Sequence, residues 1–159
     1  MEREKFADAV INGTMDQLHV QTSIPILYKG YDLLLEKPIS PDPRECLEIE
    51  EKANRLGRKI IVCHVLRYTP FYMTLKSLID SGEVGQVTTI NQIENVGYWH
   101  QAHSFVRGNW RNTAETSPMI LQKSCHDMDI ILWLMGKDCK RVQSFGSLRH
   151  FTPGNAPEG

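Results

Sequence analysis

The first part of the chain alternates short, continuous apolar runs with longer segments of helical periodicity. The apolar runs are predicted to be buried strands, and they cover residues 6–12, 31–35 and 60–65. Helices are predicted over residues 16–30 and 44–56, and Gly57 is expected to end the second one. Continuous apolar runs are typical of parallel strands covered on both faces. The pattern therefore predicts an α/β domain with a parallel sheet.

The pattern changes after Thr69. A helix is predicted over residues 70–81, followed by a strand over 86–97 in which polar and apolar residues alternate, as in a sheet with one wetter face. Residues 98–118 have no clear period and are predicted to form a long loop. A strong helical pattern over 119–135 ends at Gly136, and a strand is predicted over 141–148. This second part is expected to be an α+β open-sheet unit.

Composition and charge exclude several classes of protein. The 159 residues contain 18 Lys and Arg against 19 Asp and Glu, so a basic face for nucleic acid is not expected. No apolar stretch approaches the roughly 20 residues of a membrane-spanning helix, and the amino-terminal residues are too polar for a signal peptide. The four cysteines form no C-x-x-C pair, which favours reduced thiols. We therefore expect a cytoplasmic protein.

The tripeptide Glu36-Lys37-Pro38 follows the second predicted strand directly. Ligands of parallel α/β proteins gather at the carboxyl ends of the strands, which is where this tripeptide is expected. A lysine at such a position can act as a base or as a donor to a substrate oxygen. The alternative is a surface ion pair beside a turn.

A second cluster lies in the predicted helix over residues 119–135. Lys123 and His126 are three positions apart and share one helix face. His126 alone would be interpreted as a satisfied interior histidine, whereas Asp127 and Asp129 are expected to be structural.

Asp16 is expected to cap the first helix. The spacing of the cysteines and histidines fits no common zinc pattern, so no metal site is predicted.

Six motifs, in order along the chain, resemble the Gfo/Idh/MocA family of nicotinamide-dependent oxidoreductases. They are ADAVINGTMDQLH (7–19), LLLEKP (33–38), VLRYTPFY (65–72), LKSLIDSGEVGQV (75–87), FVRGNWRN (105–112) and KSCHDMDIILWLMG (123–136). The resemblance implies that residues 1–66 form the carboxyl-terminal half of a Rossmann-like NAD(P)-binding domain. Residues 67–159 would begin an α+β domain for substrate binding and homo-oligomerisation. The implied reaction moves a hydride between NAD or NADP and a sugar, polyol or related hydroxyl compound.

The resemblance also implies roles for individual residues. Lys37 would be the acid/base group, assisted by His126 and Lys123, and the Lys37-Pro38 bond is a candidate cis peptide. Many family members have Asp where this chain has Gln122, which alters the expected proton route. The residues implied to contact the cofactor are Thr14, His19, Glu36, Lys37, Pro38, Arg67, Trp110 and Arg111.

The chain also departs from the family pattern. It contains no G-x-G-x-x-G turn, begins where the fourth Rossmann strand is expected, and ends in a predicted loop. We therefore expect a middle fragment whose first strand is an exposed edge and whose dinucleotide binding is weak or absent. The alternative hypothesis is a non-catalytic module that pairs through its exposed sheets.

Overall fold

A computed structural model of the protein describes residues 4–156. Three short strands form a parallel sheet in the order of the sequence: β1 (Ala9–Asn12), β2 (Asp32–Leu35) and β3 (Ile60–Val62). Ala9 pairs with Asp32, and Leu33 pairs with Ile60. The predicted parallel α/β unit is confirmed. The third strand is shorter than predicted, because Val65 already belongs to a 3₁₀ turn, Val65–Tyr68.

Residues 4–156 form five α-helices, and the sequence pattern with its end signals predicts all of them except α4. They are α1 (His19–Tyr28), α2 (Pro43–Leu56), α3 (Pro70–Asp80), α4 (Tyr98–Gln101) and α5 (Met119–Met135). Asp42 caps α2 by accepting a 2.8 Å hydrogen bond from the Arg44 N–H. Gly57 ends α2 in the left-handed conformation, with φ of 61°.

One face of the sheet carries the core of the first unit. Side chains from α1 and α2 pack on Leu33 and Leu35 of the central strand. The other face is open: Ile11 of β1 is 73% exposed, and Ile61 of β3 is also exposed. Because β1 pairs on one side only, the predicted exposed parallel edge is confirmed.

The second unit is built around α5, and as far as residue 156 it lacks the sheet that the pattern predicts. Neither residues 86–97 nor residues 141–148 form a strand, so both strand predictions are wrong for this structure. A strand exists only when a neighbour accepts and donates its backbone hydrogen bonds, and alternating side chains cannot supply that neighbour. Ile93 and Val142 are exposed, and Phe145 is 93% exposed.

The segment predicted as a long loop over 98–118 begins with helical structure. Its first turns are α4 and a π-helical turn, Ala102–Val106, and irregular chain follows as far as Pro118. The helix α5 then covers the predicted residues and ends at Gly136, whose φ is 61°. Within residues 4–156, no helix is both long and apolar enough to cross a membrane.

Gly57→Ala is expected to lower the free energy of unfolding by about 1 kcal/mol, since an L-residue is disfavoured in the left-handed region. A Cβ at this glycine would meet no atom within 4 Å, so the cost is conformational and not steric. Urea denaturation measures the change. Gly146→Ala is the matched control, because Gly146 is equally open and lacks a positive φ. Equal effects of the two substitutions would contradict this account.

Candidate active site

Three polar segments follow the three parallel strands at one edge of the sheet. Thr14 lies just beyond β1, Glu36-Lys37-Pro38 follows β2, and His64 follows β3. The Lys37-Pro38 peptide is cis, as the resemblance suggested. The carboxyl ends of parallel strands are the usual ligand edge of such sheets. These segments therefore lie where a ligand of this fold would bind.

The Lys37 amine joins this sheet edge to α5. Its Nζ donates to the backbone oxygen of Gln122 at 3.1 Å and to the Gln122 Oε1 at 3.4 Å. The Lys37 N–H donates to the Glu36 carboxylate at 3.2 Å. An ammonium group has three donors, and two of them point to Gln122. Among the described residues, the third donor has no hydrogen-bond acceptor assigned to it.

Asp16 lies behind this contact and connects the two units. One carboxylate oxygen accepts from the Ser117 N–H at 2.8 Å and from the Gln122 Nε2 at 2.9 Å. Burial raises the pKa of this carboxyl, but the hydrogen bonds from Ser117 and Gln122 outweigh burial and hold the pKa below its ordinary value. The predicted capping role of Asp16 is wrong, since α1 begins without a side-chain cap and this carboxylate points to the second unit.

Two imidazoles meet beside Lys37. The rings of His64 and His126 contact edge to face, with centroids 5.9 Å apart and planes at 90°. Burial lowers the pKa of both histidines, and the Lys37 charge lowers both further. The His126 Nδ1 is buried without a hydrogen-bond partner among the described residues. The predicted residue His126 is therefore a neutral ring at the site at pH 7.

His64 is a site residue that the sequence interpretation did not select. Its Nδ1 lies 3.7 Å from the Asp129 carboxylate, beside the His126 ring. The sequence feature that could have identified His64 is its position directly after the third apolar run, at the same sheet edge as Lys37. A histidine inside the C-H-V-L run is otherwise indistinguishable from a core residue.

Lys123 completes the cluster predicted to be catalytic. Burial and the neighbouring Lys37 charge lower the pKa of the Lys123 amine, while Glu94 opposes this shift. The structure thus brings Lys123 and His126 into electrostatic range of Lys37, although 85 residues separate Lys37 from Gln122.

His19 is buried and contacts two backbone loops, and it is not exposed at the sheet edge. Its side chain is 1% exposed, and its ring nitrogens lie 2.8 Å from the Pro38 oxygen and 2.9 Å from the Thr14 oxygen. The ring thereby ties the loop after β1 to the loop after β2. Thr14 itself is exposed, and its hydroxyl donates to the Asn12 Oδ1 at 2.9 Å.

Arg67 is engaged with α5. Its guanidinium forms two hydrogen bonds with Asp129, one of them from Nε at 2.7 Å. The Asp129 carboxylate raises the pKa of Arg67. Asp127 accepts from the Gln92 Nε2 at 2.9 Å. Both aspartates thus have structural partners, as predicted.

Trp110 and Arg111 stay within their own loop. The backbone N–H of Trp110 donates to the backbone oxygen of Ser104 at 3.2 Å, and the Arg111 Nη1 donates to the backbone oxygen of Gly108 at 3.1 Å. Over the described part of the chain, no hydrogen bond or ring contact joins either residue to Lys37. Their predicted contact with a cofactor stays a prediction.

The residues at the sheet edge fit the reactive end of a nicotinamide dinucleotide. Exposed Thr14 offers its hydroxyl oxygen as an acceptor, and half-buried Lys37 offers a donor beside a neutral His126. The glycine-rich turn that leads to the pyrophosphate-binding helix end of dinucleotide-binding sheets has no counterpart here, since the sequence contains no G-x-G-x-x-G run.

Comparisons with known proteins match nearly the whole chain. The family model described as "GFO/IDH/MocA C-terminal domain" matches residues 72–157. The model described as "Oxidoreductase family, NAD-binding Rossmann fold" matches residues 1–64.

Inositol dehydrogenases are among the similar proteins. The inositol 2-dehydrogenase of Streptomyces avermitilis is 32% identical over 158 residues, covering 96% of this chain and 40% of the relative. Inositol 2-dehydrogenase 2 of Saccharopolyspora erythraea is 28% identical over 133 residues, covering 82% of this chain and 36% of the relative. The chain thus spans 36–40% of the length of these relatives.

Solved structures share the fold. Scyllo-inositol dehydrogenase from Lactobacillus casei, with bound NAD(H) and scyllo-inositol, has a TM-score of 0.66 and 26% identity, covering 82% of this chain and 38% of that one. Myo-inositol 2-dehydrogenase from Lactobacillus plantarum has a TM-score of 0.68 at 21% identity, covering 84% and 39%. The second likeness concerns the fold alone.

The two buried histidines are expected to make stability depend on pH. Their pKa values are lower in the folded chain than the roughly 6.5 of an unfolded one, so the unfolded chain binds more protons as pH falls. Their contribution is complete above about pH 6.5 and is lost below it. His126→Gln should reduce the slope of unfolding free energy against pH by up to about 1.4 kcal/mol per pH unit.

Urea denaturation at a series of pH values measures this slope. His103→Gln is the control, because His103 is exposed on the turn after α4. An unchanged slope in His126→Gln would contradict the burial of a neutral ring.

Proposed function

The chain belongs to the GFO/IDH/MocA family of oxidoreductases, and we propose that its site transfers a hydride between NAD or NADP and a hydroxyl carbon of a sugar or polyol. The observation that carries the proposal is the Lys37 amine, fixed by two Gln122 oxygens with one donor remaining beside His126. The inositol dehydrogenases among its relatives support a polyol as the substrate class.

The reaction requires that the hydroxyl proton leave as the hydride leaves the same carbon. When bound, the nicotinamide ring supplies the hydride acceptor. Lys37 donates its remaining N–H to the substrate oxygen and stabilises the negative charge that develops there. His126 can accept the proton, because burial and the Lys37 charge lower the pKa of its ring and keep it neutral. Lys123 adds positive charge on the same helix face.

We assign residues 1–66 to the nucleotide-binding unit and residues 67–159 to the substrate unit. The assignment is supported by the separate family matches over 1–64 and 72–157. In the first unit, Thr14, Glu36, Lys37 and Pro38 would contact the nicotinamide end. The sequence contains no G-x-G-x-x-G turn to hold the pyrophosphate, so dinucleotide binding by these 159 residues is proposed to be weak.

The test is turnover of a panel of inositols and sugars with NAD and NADP at millimolar concentration, followed by the absorbance of the reduced cofactor. Lys37→Ala should lower kcat/KM by about 10²- to 10³-fold, since it removes the donor that stabilises the negative charge on the substrate oxygen. Lys76→Ala is the control, because Lys76 pairs with Asp80 on the surface of α3. Lys123→Ala should retain turnover.

Unchanged turnover in Lys37→Ala would refute the role of this lysine. No change in nicotinamide fluorescence at millimolar cofactor would exclude catalysis by these 159 residues.

A second candidate function is a module that associates through its open surfaces. The edge of β1, the exposed Ile11 and the exposed Phe145 in the unpaired segment 141–148 favour it. Unpaired strand edges and exposed apolar patches bind other chains. The proposed partner is a second copy, paired through residues 86–97 and 141–148.

Sedimentation velocity over a range of concentrations tests this association. Ile93→Lys combined with Phe145→Lys should shift the protein towards monomer, because charge on these segments opposes their burial. Met73→Lys is the control, since Met73 is exposed on α3 outside both segments. A monomer at every concentration would contradict self-association.

A further inference from the structure

We propose that Asp16 is a positioning residue for the Lys37 amine, acting through the side-chain amide of Gln122. The catalytic meaning of this inference rests on the proposed function, whereas the positioning itself does not. Three consecutive contacts carry it: Ser117 N–H to Asp16, Gln122 Nε2 to Asp16, and Lys37 Nζ to Gln122 Oε1.

The first step is the orientation of the amide. An ionised carboxylate only accepts hydrogen bonds, so the NH₂ end of Gln122 must face Asp16. The two ends of an amide point in opposite directions, and the oxygen therefore faces Lys37 at 3.4 Å. In the flipped orientation, two acceptors would meet at Asp16 and two donors would meet at Lys37. Asp16 thus selects the orientation that holds the lysine.

The second step is the rigidity of Asp16. Asp16 is 3% exposed, Gln122 is 6% exposed and Ser117 is fully buried, so water cannot replace these contacts easily. The backbone N–H of Ser117 holds the carboxylate from the loop before α5. The Asp16 carboxylate of the first unit is therefore fixed to two groups of the second unit, the Ser117 backbone N–H and the Gln122 side chain in the first turn of α5.

The position of the Lys37 amine depends on both Gln122 oxygens. Lys37 is half-buried and its stem is flexible, so its amine needs both Gln122 oxygens to remain at one place. If Oε1 turns away, only the backbone oxygen at 3.1 Å remains. A displacement of a reacting group by about 1 Å can cost on the order of 10²-fold in rate.

Three variants of the full 159-residue chain test separately the charge of Asp16, its hydrogen-bond acceptor oxygens and the side-chain amide of Gln122. Asp16→Asn keeps an oxygen that can accept from Ser117 and Gln122, and removes the charge. Asp16→Leu removes the acceptor. Gln122→Met preserves the length of the side chain and removes the amide. Thermal unfolding of each variant shows whether it is folded at the temperature of the assay.

The measurement is the rate of acetylation of Lys37 by a trace of acetic anhydride, read by mass spectrometry on the peptide that carries it. Asp16→Leu and Gln122→Met should each raise the Lys37 rate by about 3- to 10-fold, since one of two hydrogen bonds is lost. Asp16→Asn should leave the rate within about 2-fold of the parent, because the acceptor remains. Lys76 in the same digest is the internal control, as it pairs with Asp80 far from the amide.

The combination of Asp16→Leu with Gln122→Met tests the route. If Asp16 acts through the amide, the double variant should react no faster than Gln122→Met alone. Additive increases, or an unchanged Lys37 rate in Asp16→Leu, would overturn the proposal. The labelling needs no cofactor, so absence of hydride transfer with the expected labelling pattern would overturn the proposed function and leave the positioning of Lys37 supported.

Discussion

The buried carboxylate of Asp16 is the constraint on which the candidate site depends. It receives hydrogen bonds from the Ser117 backbone and from the Gln122 side chain, and Gln122 in turn holds Lys37. A buried charge is stable only when its partners are present, so removal of any one of them leaves an uncompensated group. The site is therefore formed at the same contact that joins the two units.

Around this contact lie an ion pair between Arg67 and Asp129 and the neutral rings of His64 and His126. Asp129 is occupied by Arg67 and lies near His64, so the carboxylate does not reach Lys37 directly. The amine is held instead by the neutral oxygens of Gln122, where many family members have an aspartate. His64 and His126 are kept neutral by burial and by the Lys37 charge. A fixed ammonium beside a neutral imidazole is an arrangement suited to proton transfer from a hydroxyl group.

Local signals predicted the first unit well, because each of its predicted strands has a parallel neighbour in the fold: Ala9 pairs with Asp32, and Leu33 pairs with Ile60. Continuous apolar runs located all three strands, and Gly57 and Gly136 located the ends of α2 and α5. The strand predictions at 86–97 and 141–148 were wrong, since a strand requires a hydrogen-bonded neighbour that no local pattern specifies. The helical turns at 98–106 lacked a clear period because few of their side chains are buried.

The sequence by itself determined the parallel α/β unit, the position of Lys37 after a strand and the shared helix face of Lys123 and His126. These features follow from apolar runs and helical periodicity, which are patterns among residues close together in the chain. Only the tertiary structure decided that Asp16 connects the units instead of capping a helix, and that His64 joins the site. A carboxylate in a polar loop has the same local sequence in both roles. Its partners are 101 and 106 residues away, and folding alone brings them together.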